Sequence, residues 1–271
     1  MFNRVIIVVG APRSGTSWLG QILDSCPSTK YRFQPLFSWA FKGALNERSS
    51  REDFEVFFRN IYDSNDEFLC QTERRKTGLY PTFSMKQPRP EVLVFKMIRY
   101  HFLVPVMIKH FQFVSAVGIV RHPCGAIYSW LSNCKEFPAN ANPLKEWRLG
   151  TCRNQNKPEE YWGFEAWKKI SVLFGELSKM FPSRFRIVQY ESMVDRPFHI
   201  VRSLFSFLDI PYTRQTESFL KSCHEKHLND PYAVFKNKKV KDAWKTKLYK
   251  EIRAEIIKEI IGTDLEKFLV E

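Results

Sequence analysis

Gly10-Ala-Pro-Arg-Ser-Gly15-Thr-Ser-Trp18 follows the apolar run Val5–Val9 (VIIVV) and leads into a helical pattern over Thr16–Asp24. A glycine-rich turn between a strand and a helix points several backbone N–H groups inward, and the helix N-terminus adds partial positive charge. Together they form a cradle for an anion. Measured against G-x-x-x-x-G-K-[ST], the glycines fit at 10 and 15, but Thr16 stands where the lysine belongs. A nucleotide hydrolase or kinase without that lysine lacks its contact to the β- and γ-phosphates. No apolar strand ends in an obvious Mg²⁺-binding Asp either. The cation has moved into the loop, to Arg13. The plainer reading of the same residues is a tight turn whose arginine is merely solvated.

Outward from the loop, three more apolar, β-branched runs have the character of strands buried on both faces. They are Val92–Met97 (VLVFKM), Val114–Val120 (VSAVGIV) and Phe185–Tyr190 (FRIVQY). Helical patterns lie between them: Pro123–Leu131, a stripe within 160–181, and another through Val201, Leu204, Phe205 and Leu208. A steady i,i+4 face runs through Trp244, Leu248, Ile252, Ile256 and Ile260 on a basic helix. Strands alternating with helices predict an α/β fold, one domain over 1–271 with a central parallel sheet flanked by helices. Two charged, proline-bearing stretches, 71–91 and 133–158, are irregular. Such long loops usually serve as lids or binding loops over the crevice at the strand ends.

The 271 residues carry 42 Lys and Arg against 29 Asp and Glu, a surplus of 42 − 29 = +13. That surplus points to anionic partners: phosphorylated cofactors, acidic glycans, nucleic acid or a membrane surface. With 44% apolar and 15% aromatic residues the chain is neither disordered nor collagen-like. The six cysteines have no metal-like spacing, so no metal is expected. They read as reduced thiols, with Cys134 and Cys152 able to pair in an oxidising compartment. No run reaches the ~20 apolar residues of a membrane span, and no signal-peptide cleavage site follows Val5–Ala11. The expectation is a soluble, cytoplasmic protein, or else the catalytic part of one whose anchor lies elsewhere.

Pro12-Arg13-Ser14-Gly15-Thr16-Ser17-Trp18 resembles the 5′-phosphosulfate loop, P-[KR]-S-G-[TS]-[TS]-W, of sulfotransferases. These enzymes use 3′-phosphoadenosine-5′-phosphosulfate (PAPS) and release 3′-phosphoadenosine 5′-phosphate (PAP). The resemblance implies that Arg13 holds the bridging and sulfuryl oxygens. It implies further that the loop amides, Gly15 included, together with Ser14, Thr16 and Ser17 hold the 5′-phosphate, and that Trp18 stacks on adenine. Val117–Ser129 resembles the family's 3′-phosphate motif, R-x-P with a serine eight residues after the arginine, met as Arg121, Pro123 and Ser129. A bidentate guanidinium and a hydroxyl from the next helix suit one dianionic phosphate. The bland alternative has Arg121 capping a turn and Ser129 packing inward. Tyr190-Glu191-Ser192-Met193 is similar to the Y-E-D-[LM] strand end that supports adenine, with Ser192 for Asp. The segment 235–245 is similar to R-K-G-x-x-G-D-W-K, which closes over the 3′-phosphate. Lys238 and Lys239 are its candidate contacts. The resemblance runs from residue 4 to about 246.

Sulfuryl transfer needs an acceptor hydroxyl or amine in line behind sulfur, with a base near its proton. Lys96-Met-Ile-Arg99 resembles the K-x-x-R of carbohydrate sulfotransferases, which implies a glycan or another small hydroxyl acceptor. It would put Lys96 beside the reacting groups and Arg99 on the acceptor. Where relatives carry Glu-Pro after the first helix, this chain has Gln34-Pro35. A neutral Gln orients an acceptor but does not take its proton as a carboxylate would. His101 is the first candidate base, with His122 and Glu73 behind it. Three rivals stay open. A P-loop nucleoside or sugar kinase would need Mg²⁺ and ATP. A nucleic-acid module on the lysine-rich tail would bind in a salt-sensitive way. A catalytically inactive sulfotransferase-like binder would keep the donor site alone. The paired Arg13 and Arg121/Ser129 motifs favour the enzyme, with no nucleic-acid partner.

Overall fold

The computed structural model describes residues 2–157, 159–235 and 241–269. Its five strands are β1 (Arg4–Val9), β2 (Thr29–Arg32), β3 (Val92–Met97), β4 (Val114–Val120) and β5 (Phe185–Gln189). They form one sheet in the order β2-β3-β1-β4-β5, and every pairing is parallel. The architecture is the α/β one expected from the alternating runs.

Alternate residues of each strand feed two separate cores. Val5, Ile7 and Val9 of β1 join Leu93 and Phe95 of β3 under the helices Arg51–Asp63, Leu103–His110 and Phe164–Met180. Ile6 and Val8 join Val92 and Val94 under the helices Thr16–Asp24, Pro197–Phe207 and Arg214–Glu225. With helices on both faces, the inner strands β1, β3 and β4 have no open side for polar residues, which is why their runs read as almost continuously apolar.

β2 (TKYR) has no such run and is missing from the expected set. Its burial rests on paired polar groups instead. The Thr29 hydroxyl donates to the Leu23 carbonyl at 2.8 Å, and the Arg32 guanidinium donates to the carbonyls of Ile61, Tyr62 and Ser64. The C-terminal stripe also needs correction. Trp244, Leu248, Ile252, Ile256 and Ile260 are all buried, as the spacing predicts. However, the backbone opens at Leu248 and Tyr249, between a short helix Trp244–Lys247 and the helix Lys250–Ile260. The strand expected to end at Tyr190 stops at Gln189, and Tyr190 begins a helix.

Stretch 71–91 is tied down through Asp24, at the end of the helix Thr16–Asp24. The Asp24 carboxylate is buried between Arg75 (2.7 Å) and Lys86 (2.9 Å). Burial pushes its pKa up, but these two cations outweigh that and leave it lowered. Cys134 and Cys152 are separate thiols, as are the other four cysteines. Among the described residues, no helix is long and apolar enough to cross a membrane.

β1 lies between β3 and β4, so the chain reverses its direction across the sheet there. At such a switch point the carboxyl ends of neighbouring strands open a crevice. Here those ends carry the loop 10–15 after β1, Lys96 in β3 and Arg121 after β4.

Candidate active site

The loop after β1 turns on two residues with left-handed backbone, Arg13 (φ 66°) and Gly15 (φ 94°). Gly15 caps the helix Thr16–Asp24 without a side chain, and the first helical turn holds no acid, so the N–H groups and positive end face the crevice. A Cβ at Gly15 would come within 2.7 Å of the Tyr190 ring, and one at Gly10 within 2.8 Å of the Ile119 carbonyl. The loop is thus pressed between β4 and the start of the helix Tyr190–Asp195.

A cleft of about 330 Å³ opens on this loop. Of the described residues that the sequence singled out, Arg13, Gly15, Thr16, Ser17, Trp18, Gln34, Lys96, Arg99, Arg121, Ser129 and Tyr190 all line it. Arg121, at the end of β4, donates from Nη1 to the Arg13 carbonyl at 3.1 Å and lies 4.7 Å from the Tyr190 ring centroid. Trp18 meets Tyr190 edge-on, with centroids 6.2 Å apart. Lys96, on the face of β3 toward the helix Thr16–Asp24, donates to Ser17 Oγ at 2.8 Å and sits 4.1 Å from the Phe33 centroid. Burial, and then the Arg74 and Arg13 charges, hold its pKa well below the ordinary lysine value, against the pull of Glu136. Gln34 lines the wall with left-handed backbone at φ 42°.

Two of the expected residues do not reach the cleft. Ser14 is wholly buried, and its hydroxyl has no hydrogen-bond partner. His101 is 8% exposed, with Nε2 against the Gly10 carbonyl at 3.1 Å. Burial drops its pKa to about 4. Its ring lies beneath the phosphate loop, where it braces the backbone and has no path to an acceptor. Of the reserve candidates, His122 is stacked on Trp244 at 4.2 Å and Glu73 is exposed outside the cleft. Lys238 and Lys239 lie outside the described residues.

The cleft also holds groups not singled out from the sequence: Phe33, Arg74, Glu136, Arg153, Tyr161 and Tyr232. Arg74, Glu136 and Arg153 come from the two irregular stretches expected to be lids, so length and charge marked the region but not the residue. Among the described residues, five arginines and one lysine line the cleft against a single carboxylate, Glu136. Arg13 divides its guanidinium among Ser129 Oγ (3.2 Å), the Pro231 carbonyl (2.8 Å) and Glu136 (3.6 Å). Arg99 donates to the Tyr161 hydroxyl and lies 4.2 Å from the Phe37 centroid. Burial pushes the Tyr161 phenol up to about 12 although Arg99 pulls the other way. Among the described residues, no set of three or more His, Cys, Asp or Glu is arranged to hold a metal.

The model of the Sulfotransferase family matches residues 5–214. The chain belongs to that family. No curated protein matches this sulfotransferase in sequence. Solved structures share its fold. Mouse sulfotransferase SULT7A1, complexed with PAP, is 17% identical with a TM-score of 0.60, covering 99% of this chain and 89% of its own. Retinol dehydratase, in a complex with retinol and PAP, is 12% identical with a TM-score of 0.59, covering 98% and 83%. The sulfotransferase domain of the Synechococcus PCC 7002 olefin synthase is 14% identical with a TM-score of 0.55, covering 100% and 96%.

Proposed function

We propose that this sulfotransferase, acting as one catalytic domain over 1–271, moves a sulfuryl group from PAPS to a carbohydrate hydroxyl and releases PAP. The observation that carries the reading is the junction of Arg121 Nη1 with the Arg13 carbonyl. It ties the guanidinium of one motif to the backbone of the phosphate loop from a motif 108 residues earlier, beside the uncapped start of the helix Thr16–Asp24. The residues fit such a donor. Arg121 is 4% exposed, and its Nε has no hydrogen-bond partner, an orphaned donor that a phosphate would satisfy. Two solved relatives in fold carry PAP.

PAPS supplies an activated sulfuryl group on a phosphate leaving group. The chain's part is to hold and polarise it. Arg121 and Ser129 would take the 3′-phosphate, the loop amides with Thr16 and Ser17 the 5′-phosphate, and Trp18 and Tyr190 the adenine. Arg13 and the amides would meet the charge that grows on the leaving oxygen, without reorganising at that moment. Lys96, already bonded to Ser17, adds a cation at the same end.

Beyond Arg13, the wall carries guanidiniums laid on aromatic rings. Arg74 lies 4.9 Å from Phe33, Arg99 4.2 Å from Phe37, and Arg153 5.9 Å from Trp162. Flat apolar faces suit a sugar ring, and the charges suit a sugar that bears carboxylate or sulfate. Gln34 would orient the hydroxyl. Calorimetry with PAP and with ATP, both without metal, tests the donor. PAP should bind more tightly, and equal affinity for the two would overturn the reading.

A further inference from the structure

Sulfuryl transfer to a hydroxyl leaves a proton to be placed, and the residues the sequence nominates for it are not in position. His101 is sealed beneath the loop, and Gln34 is neutral. Glu136 is the carboxylate that lines the cleft. We propose, resting on the PAPS reading above, that Glu136 is the base that takes the proton of the acceptor hydroxyl.

Three observations converge on it. Its side chain is 16% exposed, and Oε2 is buried with no hydrogen-bond partner, so this oxygen has a vacant lone pair in a water-poor cleft. That same Oε2 lies 3.6 Å from Nη1 of Arg13, the side chain assigned to the sulfuryl group. The turn Asn133–Phe137 fixes its backbone: the N–H groups of Glu136 and Phe137 both donate to the Asn133 carbonyl, at 2.9 and 2.8 Å. Lys135 anchors the turn's other side through Asp230 at 2.9 Å.

In the step, the acceptor O–H bond breaks and its proton goes to Glu136 Oε2. The freed electron pair forms the new O–S bond. The S–O bond to the 5′-phosphate breaks, and its electron pair stays on the phosphate oxygen of PAP, beside Arg13.

The test uses the full chain and PAPS, with 4-nitrophenyl β-D-glucuronide as sugar acceptor and with water alone, following PAP release. Glu136→Gln should lower kcat by roughly 10²-fold or more with either acceptor, and should remove the acidic limb of the pH–rate profile. Its affinity for PAP should be unchanged or higher. Glu136→Asp, which keeps the carboxylate, should recover part of the rate. Unchanged turnover in Glu136→Gln overturns the assignment. So does a loss matched by weaker PAP binding, which would mark Glu136 as only a brace for Arg13. Wild-type protein that binds PAP yet turns over with neither acceptor overturns the base alone, whereas failure to bind PAP overturns the donor reading itself.

Discussion

Lys96 Nζ donates to Ser17 Oγ across 2.8 Å, joining the end of β3 to the first turn of the helix that carries the phosphate loop. The lysine comes from a strand and the serine from a motif 79 residues earlier in the chain. Its position has a proton-linked consequence. With its pKa held well below the ordinary value by burial and by Arg74 and Arg13, Lys96 sheds its proton at a pH where a free lysine keeps it. An anionic nucleotide beside it would restore the proton. PAP binding at a pH below the free-lysine value of about 10.4 should therefore take up protons. Calorimetry in buffers of different ionisation enthalpy measures this uptake, and Lys96→Met should abolish it. Equal uptake in the variant would mean another group is responsible.

His101 should shape acid stability. Its folded pKa of about 4 lies below the unfolded value near 6.5, so the unfolded chain binds more protons as pH falls through that window. Stability contributed by the neutral ring is present above pH 6.5 and is lost toward pH 4. Between pH 7 and 5 the loss from this one group is about 2 kcal/mol. Urea unfolding at the two pH values reads it. His101→Leu should flatten the slope by that amount, and an unchanged slope would refute the burial argument.

Gly15→Ala should damage the loop and the site together. The substitution puts a Cβ at φ 94° and within 2.7 Å of the Tyr190 ring. The backbone strain alone costs about 1–2 kcal/mol, and Tyr190 must move as well. Both Tm and PAP affinity should fall. A variant that loses stability but binds PAP normally would show that Tyr190 does not contribute to the nucleotide pocket.

Arg121 and Arg99 should separate donor from acceptor. Arg121→Ala should weaken PAP binding by roughly 2–4 kcal/mol, the scale for leaving a buried phosphate without a charge-assisted partner. Arg99→Met should leave PAP affinity alone and raise KM for an anionic sugar at least several-fold, an effect that added salt reduces. Steady-state kinetics with glucuronide and uncharged glucoside acceptors tests this. If both acceptors lose equally, Arg99 recognises no charge.

What the chain determines locally was legible in its order of residues. The apolar runs of β1, β3 and β4 announce a doubly covered sheet. The spacing of Gly10, Arg13 and Gly15 announces an anion cradle, and the Arg121–Ser129 interval its second grip, because each depends on neighbours a few residues away. What depends on distant chain segments was decided only by folding. β2 is held by the carbonyls that Arg32 reaches 29 and more residues away, so no apolar signal marks it. His101 and Lys96 both sit near the end of β3. The tertiary packing alone sends one beneath the loop to Gly10 and the other to Ser17. Glu136 is one of two acids in an irregular stretch, until the fold sets it beside Arg13 and buries its Oε2. Spacing along the chain controls local geometry, but burial and partner charge, which give a side chain its chemistry, are properties of what the whole sheet brings together.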